Sequence, residues 1–179
     1  VGSPAGGRAQ PQTEELVGFF ANTLVLRSRL AEHATFRDLI EQAREVTLDA
    51  HANQDVPFEK LVEELTPVRD PSRSPLFQVM FVLQNTPLDE LRLPDLASSH
   101  VLVHQQTSKF DLTLAVEEKP DGSLSGVFEY ATDLFEPATI ARMAGHYAQL
   151  LREIVDHPDR PVTELQLMTD GERLQLSLD

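Results

Sequence analysis

The side chains best suited to hold or polarise another molecule fall in three short runs. Val17-Gly-Phe-Phe-Ala-Asn-Thr-Leu-Val-Leu-Arg27 sets one amide, Asn22, among apolar neighbours. Asn53-Gln-Asp-Val-Pro-Phe-Glu59 joins two amides to the Asp55 carboxylate just ahead of a proline. Arg69-Asp-Pro-Ser-Arg-Ser-Pro-Leu76 brings the fixed charges of Arg69 and Arg73 close to Asp70 between two prolines. A buried amide must find partners, so taken alone Asn22 is expected to satisfy nearby backbone groups. Asp55 reads as a helix cap facing the positive end of a helix dipole, and the arginines as loop anchors pairing with a buried carboxylate. Gly18 permits a positive φ or a close backbone approach at the mouth of a strand.

Most other site chemistry fails on inventory. The chain has 179 residues, no cysteine and six histidines, no two of them adjacent. That excludes disulfides, a thiol nucleophile and thiolate zinc sites, and we expect no metal. A cysteine-free chain is compatible with a reducing cytoplasm. Neither a Gly-x-x-x-x-Gly-Lys phosphate loop nor a His-Glu-x-x-His pair nor a Gly-x-Ser-x-Gly elbow seated after a strand occurs. His51, a lone histidine at a helix end, is given no catalytic task. The net charge of −14 argues against nucleic acid and anionic membrane surfaces, which need clustered lysine and arginine.

These runs must be positioned by ordinary elements. Residues 1–16, rich in Gly and Pro, read as a loop. Residues 19–29 are nearly continuously apolar, as a buried strand requires. Thr35 followed by Asp38 is box-like, and Phe36, Leu39, Ile40, Ala43, Val46 and Ala50 recur at helical spacing. Pro57 opens a second helix with Phe58, Leu61, Val62 and Leu65 on one face. Residues 76–84 read as a strand buried on both faces, 85–106 as a long crossover loop, and 110–118 alternates with period two. Pro120-Asp-Gly-Ser123 makes a hairpin turn into a strand over 124–131. Pro137 then starts a helix carrying Ile140, Met143, Ala144, Tyr147, Leu150, Leu151 and Ile154, and the tail reads as linker-like. The sum is a mixed α/β arrangement, helices over a sheet of about four strands, small enough to need a further surface to pack on.

In order and spacing the three runs resemble the last three signature motifs of the condensation domains of nonribosomal peptide synthetases. Ser108-Lys-Phe-Asp-Leu-Thr-Leu114, Gly126-Val-Phe-Glu-Tyr130 and Glu164-Leu-Gln-Leu-Met-Thr-Asp170 are similar to later segments of that family. Ala21 stands where the family commonly has valine, Val56 where it has tyrosine, and Ser74 where it has asparagine.

The resemblance implies part of the C-terminal lobe of a two-lobed, chloramphenicol-acetyltransferase-like fold over residues 1–160. Residues 161–179 would lead towards an adenylation domain. It implies amide-bond formation between a donor thioester and an acceptor amine, both on carrier-protein phosphopantetheine arms, with no cofactor bound directly. The general base belongs to a His-His-x-x-x-Asp-Gly motif in the N-terminal lobe, so no catalytic residue is expected among these 179, and the chain alone is expected to be inert. Gly18 and Asn22 become tunnel-lining candidates; Gln54, Asp55, Pro57, Phe58, Arg69, Asp70 and Arg73 become structural members of the motifs. A lobe without its partner is expected to expose apolar surface and to form dimers or aggregates. The start without methionine is expected of an excerpt from a longer chain. Two rivals remain: a degenerate condensation-like module that recruits a partner protein, and a coenzyme A-dependent acyltransferase. The epimerisation and heterocyclisation relatives fit less well, because the first run here is Gly18-Phe-Phe-Ala-Asn-Thr23.

Overall fold

The computed structural model describes residues 1–8, 10–13, 15–65, 70, 72–84 and 107–176. Among the described residues five strands form one mixed sheet: β1 (Gly2–Ala5), β2 (Asn22–Val25), β3 (Val79–Gln84), β4 (Leu112–Glu118) and β5 (Leu124–Tyr130), in the order β2-β1-β3-β4-β5. β1 is antiparallel to β2, from Gly2↔Val25 to Ala5↔Asn22, and parallel to β3 through Gly2↔Met80. β3 runs parallel to β4 and β4 antiparallel to β5. The crossover read at 85–106 lies outside the described residues.

β1 corrects the expected loop over 1–16 and brings the sheet of about four expected strands to five. Its proline is tolerated because beyond Gly2 no rung joins β1 to β3, so the N–H that Pro4 lacks is not required on that side. Gly2 lets the strand cross an aromatic ring: a Cβ there would sit 2.2 Å from Phe77 Cζ. Phe77, 4% exposed, stacks between Phe58 and Phe110 at centroid distances of 5.6 and 5.3 Å. This aromatic file joins the second helix to the sheet, at favourable offset separations.

The apolar run over 19–29 is strand only at Asn22–Val25, with Leu24 buried and Phe19 91% exposed. Strand β3 is likewise not buried on both faces, since Met80 is covered while Val79 and Leu83 are exposed. Apolar composition marks surface that wants cover without saying whether these residues supply it.

The helices follow their caps. α1 (Phe36–Ala52) begins with a reciprocal box in which Asp38 N donates to Thr35 Oγ1 and Thr35 N donates to Asp38 Oδ2. The Thr35 amide, and then the Thr35 hydroxyl, which also donates to Oδ2, hold the Asp38 carboxyl below its usual range. Gln42 exchanges two hydrogen bonds with the Arg29 backbone, tying α1 to the chain after β2. No residue of α1 is buried, and Ile40 and Leu48 lie open. α2 (Phe58–Leu65) buries Val62. α3 (Pro137–Asp156) starts on its proline and buries Ile140 and Ile154. The hairpin between β4 and β5 has Gly122 at φ 79°, and Asp121 Oδ1 accepts from both the amide and the hydroxyl of Ser123.

The tail is not extended. A bridge pairs Thr35 with Pro161, Val162 N donates to Ala34 O, and Leu165 is buried. A short helix, α4 (Asp170–Leu176), follows. Composition alone reads as linker-like because the partners at Glu32 to Thr35 lie far away in sequence, 131 residues in the case of the Thr163 hydroxyl that donates to Glu32 O.

Candidate functional site

Two of the three runs, the first and the second, meet around one amide. Asn22 opens β2, and its side chain reaches across to the turn that leads into α2. Nδ2 donates to Gln54 O and to Val56 O, each at 2.7 Å. Oδ1 accepts from Thr23 N at 2.8 Å and from Phe58 N at 3.1 Å. An asparagine side chain has two N–H donors and two acceptor sites, and all four are occupied. Flipping the amide would turn Nδ2 towards two N–H groups, so the network fixes its orientation. The backbone-satisfying role expected of an isolated buried asparagine is therefore what this amide performs, over a sequence separation of up to 36 residues.

That geometry corrects the expected cap. Leu61 N donates to Pro57 O, so Phe58 is the first residue with its amide inside the helix. Pro57 has no oxygen in its side chain, and among the described hydrogen bonds none involves the exposed Asp55 carboxylate. The Phe58 amide is met by Asn22 instead. Gln54 takes part through its carbonyl, and Phe58 through its amide and its ring on Phe77.

Gly18 is exposed and its φ is not positive, so the left-handed freedom expected of it is unused. A Cβ there would meet Phe20 Cε2 at 3.1 Å, a close approach to a neighbouring ring. Left-handed backbone falls at Gly7, φ 63°, where a Cβ would sit 1.8 Å from Phe20 O. Arg8 lies over the Phe20 ring, its guanidinium carbon 4.4 Å from the centroid.

In the third run Arg69 lies outside the described residues. Asp70 Oδ1 accepts from the Ser72 hydroxyl and amide, while Oδ2 lies 2.9 Å from Arg73 Nε. The Ser72 hydroxyl, then its amide, and more weakly Arg73 keep the Asp70 carboxyl below its usual range. Both partners are exposed, so Arg73 does not anchor the loop on a buried carboxylate as expected; it staples the loop to itself at the surface. The run ends in a three-residue turn: Phe77 N donates to Pro75 O at 2.8 Å around Leu76, whose φ is 65°. This is a costly conformation for leucine, and it aims Phe77 into the aromatic file.

One further cluster joins the tail to α3. Glu172 Oε2 accepts from Thr169 N and Oγ1, and Glu172 Oε1 lies 2.8 Å from His146 Nε2. The Thr169 amide, its hydroxyl and then His146 lower the Glu172 carboxyl to about 2. The spacing Thr169-x-x-Glu172 is a capping-box signal that could have found half of this cluster; nothing in the sequence pointed to His146. Among the described residues no three His, Asp or Glu side chains gather as a metal site would need, and no helix is long and apolar enough to cross a membrane.

The arrangement is therefore a braced junction between β2 and the start of α2. Known proteins give it a place. A family model described as the condensation domain matches residues 1–177. A linear gramicidin synthase of Brevibacillus parabrevis is 52% identical over 178 residues, 98% of this chain but 2% of that protein. The dimodular nonribosomal peptide synthase of Bacillus subtilis is 41% identical over 185 residues, 100% of this chain and 8% of that one. Among solved structures, a four-domain nonribosomal peptide synthetase bound to AMP and glycine superposes with a TM-score of 0.85 at 26% identity, covering 97% of this chain and 14% of that one. The X-domain from teicoplanin biosynthesis gives 0.83 at 27% identity, covering 93% and 39%. The fold is the chloramphenicol-acetyltransferase-like one, represented here by part of its C-terminal lobe. By its motifs, its architecture and a match along nearly its whole length, the chain belongs to the condensation domain family of nonribosomal peptide synthetases.

Proposed function

We propose that this chain is the C-terminal part of a condensation domain that forms an amide bond between two carrier-bound substrates. The acceptor amine attacks the donor thioester carbonyl, the C–N bond forms, the C–S bond breaks, and the thiol leaves on its phosphopantetheine arm. A base takes the proton released by the amine and returns it to the departing sulfur. Family resemblance assigns that base to the His-His-x-x-x-Asp-Gly motif of the N-terminal lobe. These residues contribute wall and floor: the run through Gly18 and Asn22 on one side, and the turn from Gln54 to Phe58 beneath. Holding two reactants in place can lower a barrier on the order of 7 to 11 kcal/mol in ideal cases. The phosphopantetheine arms are substrates, and the partners are the N-terminal lobe, the donor and acceptor peptidyl carrier proteins and an adjoining adenylation domain.

The carrying observation is the 52% identity over 98% of the chain to a linear gramicidin synthase. Exposed Val17, Phe19, Ile40 and Leu48 support a missing cover of the kind a second lobe would give. The test is the parent protein, containing the upstream lobe, incubated with matched loaded carriers. An amide product by mass spectrometry is expected; its absence would overturn the reading.

A second reading rests on one observation. The X-domain resolved in complex with OxyB from teicoplanin biosynthesis also superposes well, with a TM-score of 0.78 at 26% identity. A recruiting module of that sort would bind a partner protein and give no amide. The same incubation separates the two.

A further inference from the structure

The Asn22 amide is used up by four hydrogen bonds within the protein. It therefore has no vacant donor or acceptor to offer a thioester or an amine. What it controls is the turn at residues 54–58. Two carbonyls of that turn are pinned to β2 by Nδ2, and the amide that opens α2 is capped by Oδ1 from a strand 36 residues upstream. No local group does that job: Pro57 has no cap oxygen, and the Asp55 carboxylate makes none of the described hydrogen bonds. The effect continues through packing, since Phe58 leans on Phe77, and Phe77 lies under Gly2 of β1 and against Phe110.

We infer that Asn22 is a positioning residue for the condensation site, acting by locking the 54–58 turn and the start of α2 onto the sheet, without touching either reactant. The inference rests on the peptide-bond reading above. It also states why asparagine stands there: two carbonyls face one end of the side chain and two N–H groups the other. Aspartate has nearly the same shape, but it would turn an acceptor oxygen towards Gln54 O and Val56 O. On protonation it would regain one donor.

The experiment uses the parent protein with Asn22→Ala and Asn22→Asp. Amide exchange at residues 58–61, taken relative to the unstructured rate at the same pH, reports the lock. Amide-bond formation against carrier concentration reports the reaction. Expected for Asn22→Ala is exchange faster by about tenfold, the scale of a lost helix cap, with kcat down by a similar factor and KM for the carriers unchanged. Asn22→Asp should be the worse variant at neutral pH and should recover in both readouts as pH falls.

A fall in kcat with exchange at 58–61 unchanged would mean direct contact with a reactant and would overturn the inference. Faster exchange with kcat unchanged would overturn it too, leaving a purely structural tie. So would an Asn22→Asp variant that behaves like the unsubstituted protein. If the unsubstituted parent makes no amide, the peptide-bond reading fails first and takes this inference with it. An active parent with the wrong variant pattern sinks the inference alone.

Discussion

Glu172 holds His146 and Thr169 at once: one carboxylate oxygen lies 2.8 Å from the imidazole of α3, and the other accepts from the amide and hydroxyl that begin α4. α4 is only seven residues long, too short to persist unaided in water. Its docking therefore depends on contacts of this kind.

This relationship fixes a pH dependence. The Glu172 carboxyl titrates near 2 when folded against an ordinary 4.5. A depressed folded-state value means that the contribution is complete above about 4.5 and is lost as pH falls towards 2. NMR shifts of residues 170–176 should move to unstructured values across that window. Glu172→Gln should be partly released already at neutral pH and should lose the step; an unchanged acid transition in that variant would refute the assignment.

Gly7→Ala tests the left-handed turn beside Phe20. A side chain at φ 63° costs about 1–2 kcal/mol from backbone strain alone, and the new Cβ would press on Phe20 O. Gly6→Ala is the control, because nothing lies within 4 Å of its Cβ position. Urea unfolding should show a clear drop for the first and a change within about 0.5 kcal/mol for the second.

Phe77→Ala should cost more stability than any of the other substitutions. It empties the middle of the aromatic file and removes the ring under Gly2. The expected loss is about 3–5 kcal/mol, read from the urea midpoint. A loss under about 1 kcal/mol would show that the file does not bind α2 to the sheet.

Arg73→Ala should matter little. Its pairing with Asp70 is exposed, and exposed pairs contribute about 0.2–1 kcal/mol. The turn at Asp70 keeps its two bonds from Ser72 in the variant. A loss well above that range would point to a partner for Arg73 beyond this loop.

The chain in isolation should self-associate. Val17 and Phe19 are almost fully exposed, and Ile40 and Leu48 are more than half exposed on α1. Sedimentation should show dimers or larger species together with dye-binding apolar surface. A clean monomer without such binding would contradict the missing-cover reading.

What the sequence disclosed was local. Thr35 and Asp38 sit three residues apart and cap their own helix, Pro137 begins its own, and Asp121-Gly122 closes its own hairpin. Each signal and its consequence lie within one turn of chain. The three motif runs also identified the family, because their register carries more information than any one of them.

What it hid was reached from afar. Asn22 caps a helix that starts 36 residues later, so a search for a neighbouring cap settles on Asp55 and misses. β1 is strand because β2 and β3 flank it, although glycine and proline speak for a loop. The exposure of Phe19 depends on what lies opposite it, which an apolar run does not specify.

The place of β1 inside the sheet bears on how such proteins could be recombined. Gly2–Ala5 lies between β2, twenty residues on, and β3, nearly eighty on. A chimaera spliced between residues 5 and 22 would take an inner strand from one parent and both its neighbours from the other. A graft that keeps these five strands from one parent can have no seam between Gly2 and Tyr130.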